Sequence, residues 1–148
     1  MGVRVLLNRK GLTLVEVMIA LVVLLFVSLA MMQTALVSID SNMKNTIRTE
    51  AVSMAEKIIN DMRSLAFSSA GLTDTGGAWV CVDLPPPAAP CTGSYSTETR
   101  AVRSAAVDFQ RQKMITNRGS ENKELYVRVR WTWKGEPYDY TVSTVLRR

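Results

Sequence analysis

Residues 9–18 read RKGLTLVEVM, and they open an apolar run over residues 12–32 in which Glu16 is the only charged side chain. As a helix, a run of this length covers about 30 Å, the thickness of the hydrocarbon core of a bilayer. An ionised carboxylate at that depth is costly unless it has a partner, so Glu16 is a candidate functional residue. The alternative is a glutamate whose side chain reaches back to the membrane edge.

The residues before the apolar run predict its orientation. Arg4, Arg9 and Lys10 place the N-terminus in the cytoplasm, because positive flanks stay on that side. A secretory signal peptide also begins with basic residues, but its apolar core has about 7 to 15 residues and ends in a small-x-small cleavage site. Here the run is longer, and residues 28–32 (SLAMM) are a poor site. We therefore predict a single membrane span.

The segment Lys10-Gly11-Leu12-Thr13-Leu14-Val15-Glu16 resembles the processing site of type IV prepilins and pseudopilins. In that family a membrane aspartic protease cuts after the glycine on the cytoplasmic side and methylates the new N-terminal amine. The resemblance implies cleavage after Gly11, N-methylation of Leu12, and an assembly role for Glu16, the fifth mature residue. The family usually has Phe at the first mature position, where this chain has Leu12.

The resemblance also implies how the protein is assembled. Glu16 would pair with the amine of Leu12, its own or a neighbour's, since opposite charges attract strongly in an apolar medium. The expected partners are the prepilin peptidase/methyltransferase, an inner-membrane assembly platform, and major and minor pilin subunits contacted through the N-terminal helix. Before assembly we expect the protein to be located in the inner membrane, with its head in the periplasm. After assembly we expect it to be part of an extracellular pilus or a periplasmic pseudopilus.

The length of 148 residues leaves room for one domain. We expect a leader at residues 1–11, a transmembrane or filament-core half-helix at 12–35, an amphipathic half-helix at 36–70, and a β head at 71–148. The chain carries a formal charge of +5. Loss of the leader removes three bases and no acid, so the charge becomes 5 − 3 = +2. This charge does not argue for a nucleic-acid partner, and no Lys/Arg run with interleaved aromatics goes beyond a strand-like pattern, so direct nucleic-acid binding is not expected.

The helix is predicted from residues 12–70, which contain neither Gly nor Pro. Ser68, Ser69 and the glycines from Gly71 onward are expected to end it. Major pilins often carry both Pro and Gly in the apolar half, so their absence hints at a minor subunit. In the second half an apolar stripe recurs at helical spacing and predicts packing on the head. The stripe consists of Leu36, Ile39, Met43, Ile47, Met54, Ile58, Met62 and Leu65.

Cys81 and Cys91 bracket a proline-rich segment at residues 85–90. A metal site needs more than two thiols, and the chain has no His. Two cysteines in a domain outside the cytoplasm are typical of a disulfide, so we predict that Cys81 and Cys91 are joined. We predict no bound metal and no cofactor.

The C-terminal third predicts an antiparallel sheet. Residues 124–133 and 138–146 alternate apolar and polar side chains, and residues 134–137 form the turn of a hairpin. Residues 79–84 and 100–110 are further strand candidates. The predicted fold is α+β: a long N-terminal helix packed on a small antiparallel sheet of three or four strands. Arg128 and Arg130 could bind an anionic partner, but the solvated face of such a sheet is the favoured interpretation.

The last hairpin narrows the resemblance. Val127, Val129 and Trp131 (V-x-V-x-W) before a final Thr/Val strand resemble PilV-type minor pilins and the minor pseudopilins of type II secretion. This implies a minor pilin at the tip of a type IV pilus that promotes its assembly, or a minor pseudopilin. Two further classes stay open, a membrane-anchored periplasmic binding module and a secreted protein with a cleaved signal peptide. The sequence contains no His, no thiol pair at redox spacing and no phosphate-binding Gly-rich loop. It therefore does not suggest an enzyme.

Overall fold

The computed structural model of the protein describes residues 13–83 and 91–148. The predicted leader, Gly11 and Leu12 lie outside the described residues, and so does the proline segment 85–90. The chain divides into two compact units within its long helix, between Ser41 and Asn42. The first unit contains the apolar part of the helix, and the second contains the rest of the helix and the head.

The helix α1 runs over Leu14–Ser64. It ends six residues before the predicted boundary at residue 70. The end is tightened by the Ser64 hydroxyl, which donates to the Asp61 carbonyl at 2.7 Å, and by the Leu65 N–H, which donates to the Met62 carbonyl at 3.3 Å. A single 3₁₀ turn follows at Ala70–Leu72. The Ser, Gly and Thr residues here favour local hydrogen bonds over continued helix.

Six antiparallel strands form one sheet in the order β2-β3-β4-β5-β6, and the short strand β1 pairs with β4. The predicted α+β fold is therefore confirmed. The sheet has six strands, more than the three or four predicted, and the candidate at residues 79–84 forms only the two-residue strand β1. The strands are β1 Val80–Cys81, β2 Cys91–Thr92, β3 Tyr95–Val102, β4 Ala105–Asn117, β5 Asn122–Trp133 and β6 Glu136–Arg147.

One strand prediction is wrong. Residues 100–110 form a hairpin in which β3 ends at Val102 and β4 begins at Ala105. The turn between them places Arg103 at φ 54°, a conformation for which Gly or Asn is the usual signal. Because Arg103 and Ser104 carry no such signal, the sequence reads through the turn as one strand.

The final hairpin has a tighter turn than predicted. Only Lys134 and Gly135 are in the turn, and Glu136 and Pro137 already belong to β6. Lys134 has φ 52° and Gly135 has φ 84°, which is the pattern of a two-residue type I′ turn. This turn type matches the twist of the flanking strands and fixes the register of β5 on β6.

The core lies between the second part of α1 and the inner face of the sheet. Met43, Ile47, Met54, Ile58 and Met62 are buried, as the stripe predicts. The expectation that the stripe begins at residue 36 is wrong, since Leu36 and Ile39 are exposed and belong to the first unit. The sheet contributes alternate residues of its two central strands. These are Val107, Phe109, Ile115, Leu125, Val127, Val129 and Trp131.

Two lysines of the sheet donate hydrogen bonds to the segment that connects the helix to the sheet. Lys123 donates to the carbonyls of Phe67 and Leu72 at 2.7 and 2.8 Å. Lys113 donates to the Gly71 carbonyl at 3.2 Å and forms an ion pair with Asp83. These contacts hold an irregular segment against the sheet by its own main-chain acceptors, which have no helical or strand partners there.

Candidate functional site

Thr13 caps the N-terminus of α1. Its hydroxyl oxygen accepts a hydrogen bond from the Glu16 N–H at 3.2 Å, and its carbonyl accepts from the Val17 N–H at 3.2 Å. An N-terminal cap satisfies one of the donors that have no partner within the helix. Glu16 thus occupies the third helical position, where a negative charge also interacts favourably with the helix dipole.

The capping contact explains the local sequence, although it was not predicted. Thr13 and Glu16 have the spacing of the capping box, in which Ser or Thr is followed three residues later by Glu. This signal was available from sequence alone. It shows that the residues around the predicted processing site also specify where the helix begins.

The first unit exposes apolar side chains all around the helix. Residues 14–39 are exposed with no break, and Leu14, Leu24, Phe26 and Met31 each have more than 60 % of their surface accessible. A helix that is apolar on every side is stable only in lipid or among other helices. By length and composition, α1 is the one helix among the described residues that could cross a membrane.

Two hydroxyl groups in this segment are satisfied within the helix itself. Ser28 donates to the Leu24 carbonyl at 2.8 Å, and Thr34 donates to the Ala30 carbonyl at 3.1 Å. Such back-bonding lets polar side chains enter an apolar medium without an unsatisfied donor. The Glu16 carboxylate is exposed on the same helix. Glu16 is therefore the feature of the segment that most requires a partner from outside the described residues.

In the head, Cys81 of β1 and Cys91 of β2 form a disulfide with their Cα atoms 5.9 Å apart. The bond ties together the two short strands that flank residues 84–90. Both strands lie on the β3 side of β4. Strand β2 pairs with β3, and β1 pairs with the edge of β4 that β5 does not occupy. The described residues include no free cysteine and no cluster of three potential metal ligands.

Arg128 differs from the predicted solvated face. Its guanidinium stacks on the ring of Trp79, with 4.1 Å between them, and donates to the Gln112 side chain at 2.7 and 3.1 Å. Burial, followed by the nearby charge of Arg130, lowers the pKa of Arg128 from its usual value. Arg128 therefore packs β1 and its flank onto the sheet, whereas Arg130 is exposed.

A charged cluster joins the helix to strand β3. Arg100 contacts Glu50 of α1, and it donates to Glu98 at 2.7 Å. Arg111 donates to the other oxygen of Glu98 at 2.5 Å. Burial would raise the pKa of Glu98, but the hydrogen bond from Arg100 and the charge of Arg111 outweigh it and lower that pKa. The cluster is accounted for by its role in helix–sheet packing.

The comparison with protein families bears on the N-terminal part of the chain. Residues 6–32 match the family described as the prokaryotic N-terminal methylation motif. Neither the comparison with curated proteins nor the comparison with solved structures gives a match. The matched residues cover the basic flank, the capped start of α1 and the exposed apolar segment. Together with the α+β head, they support a type IV pilin-like or pseudopilin-like protein that is anchored in a membrane.

Proposed function

We propose that this chain is a minor subunit of a type IV pilus, a structural protein with no catalytic role. It is made as an inner-membrane precursor, cut after Gly11 by a prepilin peptidase, and methylated on Leu12. It then enters the filament through its N-terminal helix. The observation that carries the proposal is Glu16, a lone carboxylate at the capped start of an exposed apolar helix inside the matched motif.

The proposed mechanism follows from the position of Glu16. Cleavage after Gly11 creates a charged amine at Leu12, one residue before the cap Thr13 and four before Glu16. In an apolar filament core both charges are unstable alone and stable as a pair. An incoming subunit therefore enters correctly when its carboxylate meets the amine of a neighbouring subunit. The exposed apolar side chains around Glu16 supply the rest of the contact.

An uninterrupted helix supports a minor rather than a major subunit. The described part of α1 is one continuous helix of 51 residues, without the Pro and Gly found in many major pilins. The V-x-V-x-W pattern of β5 adds a resemblance to minor pilins and to minor pseudopilins. We propose a position at the filament tip, where few copies promote assembly. A minor pseudopilin of a type II secretion system is the second candidate, because it shares this pattern.

The test compares Glu16→Ala with Glu56→Ala in the native host. Glu56 is an exposed glutamate on the same helix, so its replacement controls for loss of a charge from α1. The Glu16 variant should be inserted and processed normally, yet be depleted from sheared filaments by roughly a hundredfold, if the stranded amine costs about 3 kcal/mol. The Glu56 variant should enter filaments normally.

Two further measurements separate the candidates. Mass spectrometry should find N-methyl-Leu12 at the mature N-terminus, and Gly11→Val should leave the precursor uncut. Deletion of the gene should reduce surface filaments while total major pilin stays constant. Loss of secretion with normal piliation would favour the pseudopilin. Normal maturation of the Gly11→Val protein, or normal filament entry by Glu16→Ala, would contradict the proposed function.

A further inference from the structure

Strand β6 ends the sheet and has one open side. It pairs with β5 along its whole length, from Glu136 to Arg147, and no strand among the described residues pairs with its other side. An edge of this length is a template for another strand. Many proteins protect such an edge with charges, bulges or a covering segment. Between residues 140 and 146 (YTVSTVL), β6 has no charged side chain.

The register identifies the open main-chain groups. In a hairpin with a two-residue turn, the residues that flank the turn form a hydrogen-bonded pair, and every second pair beyond it does the same. Trp133 and Glu136 are that first pair. The even-numbered residues of β6 therefore bond to β5, and this series continues in the bond from the Arg148 N–H to the Glu121 carbonyl. The open groups belong to Asp139, Thr141, Ser143, Val145 and Arg147.

The side chains of β6 are also incompletely covered. On the inner face, Tyr138, Tyr140, Val142 and Leu146 contact the core but are only half-buried. The β5 residues that face the first three are buried, namely Trp131, Val129 and Val127. On the outer face, Val145 is 54 % exposed. The strand thus offers both main-chain hydrogen bonds and apolar contacts to an added strand, which is how β-augmentation obtains its affinity.

We propose that β6 pairs with β6 of a second copy of this chain, antiparallel and centred on Ser143. The outward groups can bond only where odd-numbered residues face odd-numbered residues. In the register centred on Ser143, Thr141 faces Val145 of the second copy, and Asp139 faces its Arg147. Tyr140 then faces Leu146 on the inner side. The two sheets become one, through about ten main-chain hydrogen bonds.

Charge complementarity selects a second copy as the occupant. Asp139 and Arg147 lie at equal distances along the strand from Ser143, and both are exposed. Two-fold pairing therefore brings opposite charges together at both ends, a favourable arrangement for directly opposed strand residues. A shift of two residues in either direction loses these contacts. Such an isologous contact is closed, so it produces pairs and not longer chains. The pairing involves the head alone and does not depend on filament entry.

Cysteine cross-linking of the full-length protein in detergent tests the pairing. Hydrogen-bonded residues across antiparallel strands have Cα atoms about 5.5 Å apart, within disulfide range. Ser143→Cys should therefore give a disulfide-linked dimer on oxidation. Thr132→Cys is the matched control, because Thr132 is exposed on the outer face but lies on β5. The control should give several-fold less dimer. Equal yields from the two variants would overturn the proposal.

The register has its own test. Thr141→Cys and Val145→Cys should each give little dimer alone, because four residues separate each from its own copy in the second strand. Mixed together, they should cross-link efficiently. If Thr141→Cys links to itself as well as it links to Val145→Cys, the proposed register is wrong.

Charge reversal distinguishes a second copy from another occupant. In the Ser143→Cys background, Asp139→Arg or Arg147→Asp should lower the dimer yield about threefold or more, since each places like charges in opposition. The double reversal should restore the yield. A double variant as poor as the single variants would overturn the proposal. So would cross-linking of Ser143→Cys in native membranes to a different protein in place of a second copy.

Discussion

Lys113 is a buried charged side chain on the inner face of the sheet, 6 % exposed, with its ammonium held by Asp83 and the Gly71 carbonyl. The Asp83 side chain is 60 % exposed. The two partners of this ion pair thus have very different access to water. Removal of Asp83 would leave the Lys113 ammonium buried without its charged partner. Removal of Lys113 would leave the Asp83 carboxylate exposed to water.

We predict that Asp83→Ala destabilises the head more than Lys113→Met. The first change strands a buried ammonium and should cost about 3 kcal/mol of unfolding free energy. The second leaves a carboxylate that water can solvate, so about 1 kcal/mol should be lost. Urea denaturation followed by circular dichroism measures both. The reverse order of stabilities would show that the pair is not buried in the way the structure has it.

Asp74 should make stability depend on pH. Its carboxylate accepts from the Gly76 N–H at 2.8 Å and from the Asn117 N–H at 3.0 Å, and these bonds lower its pKa below the ordinary value of 3.8. A group whose pKa is lower in the folded state stabilises the fold above its unfolded pKa. That contribution is lost as the pH falls through the folded pKa.

Asp74→Asn tests this dependence. At pH 7 the variant should melt a few degrees below the native chain, because the amide cannot accept both N–H groups. The difference should shrink as the pH falls below 3.8. Glu121→Gln is the control, because Glu121 lies at an exposed turn position. This variant should change neither the melting temperature at pH 7 nor its dependence on pH. A difference that is constant from pH 7 to pH 3 would argue against a role for the Asp74 charge.

Residue contacts of this kind could not be predicted from the sequence. Lys123 and the Phe67 carbonyl lie 56 residues apart, and Lys113 and Asp83 lie 30 apart. Nothing in the local pattern links them, since a lysine in a strand normally indicates a solvated face. The capping pair Thr13 and Glu16 is the opposite case. Its spacing is local and was readable, as was the candidate role of Glu16.

Among the elements, those with strong periodicity were predicted well. Strand β5 alternates strictly, and its hairpin with β6 follows from the turn at Gly135. The hairpin of β3 and β4 was missed because its turn lacks Gly and Asn. The end of α1 was placed too late because Leu65, Ala66 and Phe67 are compatible with a helix. Tertiary contacts of that segment with Lys123 decide its conformation instead.

The disulfide element gives a third prediction. Non-reducing mass spectrometry should find a peptide that joins Cys81 to Cys91, whose sequence separation is 10 residues. Replacement of both by Ser should lower the unfolding free energy by about 2 to 3 kcal/mol, mainly because the unfolded chain gains freedom. The single variants should resemble the double one. Free thiols in protein recovered from outside the cytoplasm would contradict this pairing.

At the scale of the whole molecule, the two units differ in whether they have a core of their own. The unit from Asn42 onward has its own core, built from eight helix residues and the inner face of the sheet. The residues before it are exposed and apolar. The first unit therefore depends on lipid or other helices for solubility, whereas the second contains what a soluble domain requires.

We predict that a fragment beginning at residue 36 is soluble and unfolds cooperatively. Analytical ultracentrifugation and thermal melting measure the two properties. Within this fragment Ile47→Ala should cost about 2 to 5 kcal/mol, because Ile47 is fully buried between helix and sheet. Ile39→Ala should be nearly neutral, since Ile39 is exposed. A disordered fragment with its disulfide intact would show that the head needs the preceding helix.

The sheet order carries a consequence for the sequence of folding events. Strands β3, β4, β5 and β6 follow one another in the chain and pair as neighbours, so each can dock as soon as it is made. The helix is synthesised first, but its buried stripe is covered by β4 and β5, which come much later. During synthesis that stripe is therefore an exposed hydrophobic surface that is prone to aggregation. The nascent chain therefore passes through a stage in which prompt closure of the last hairpins decides between a folded head and aggregation.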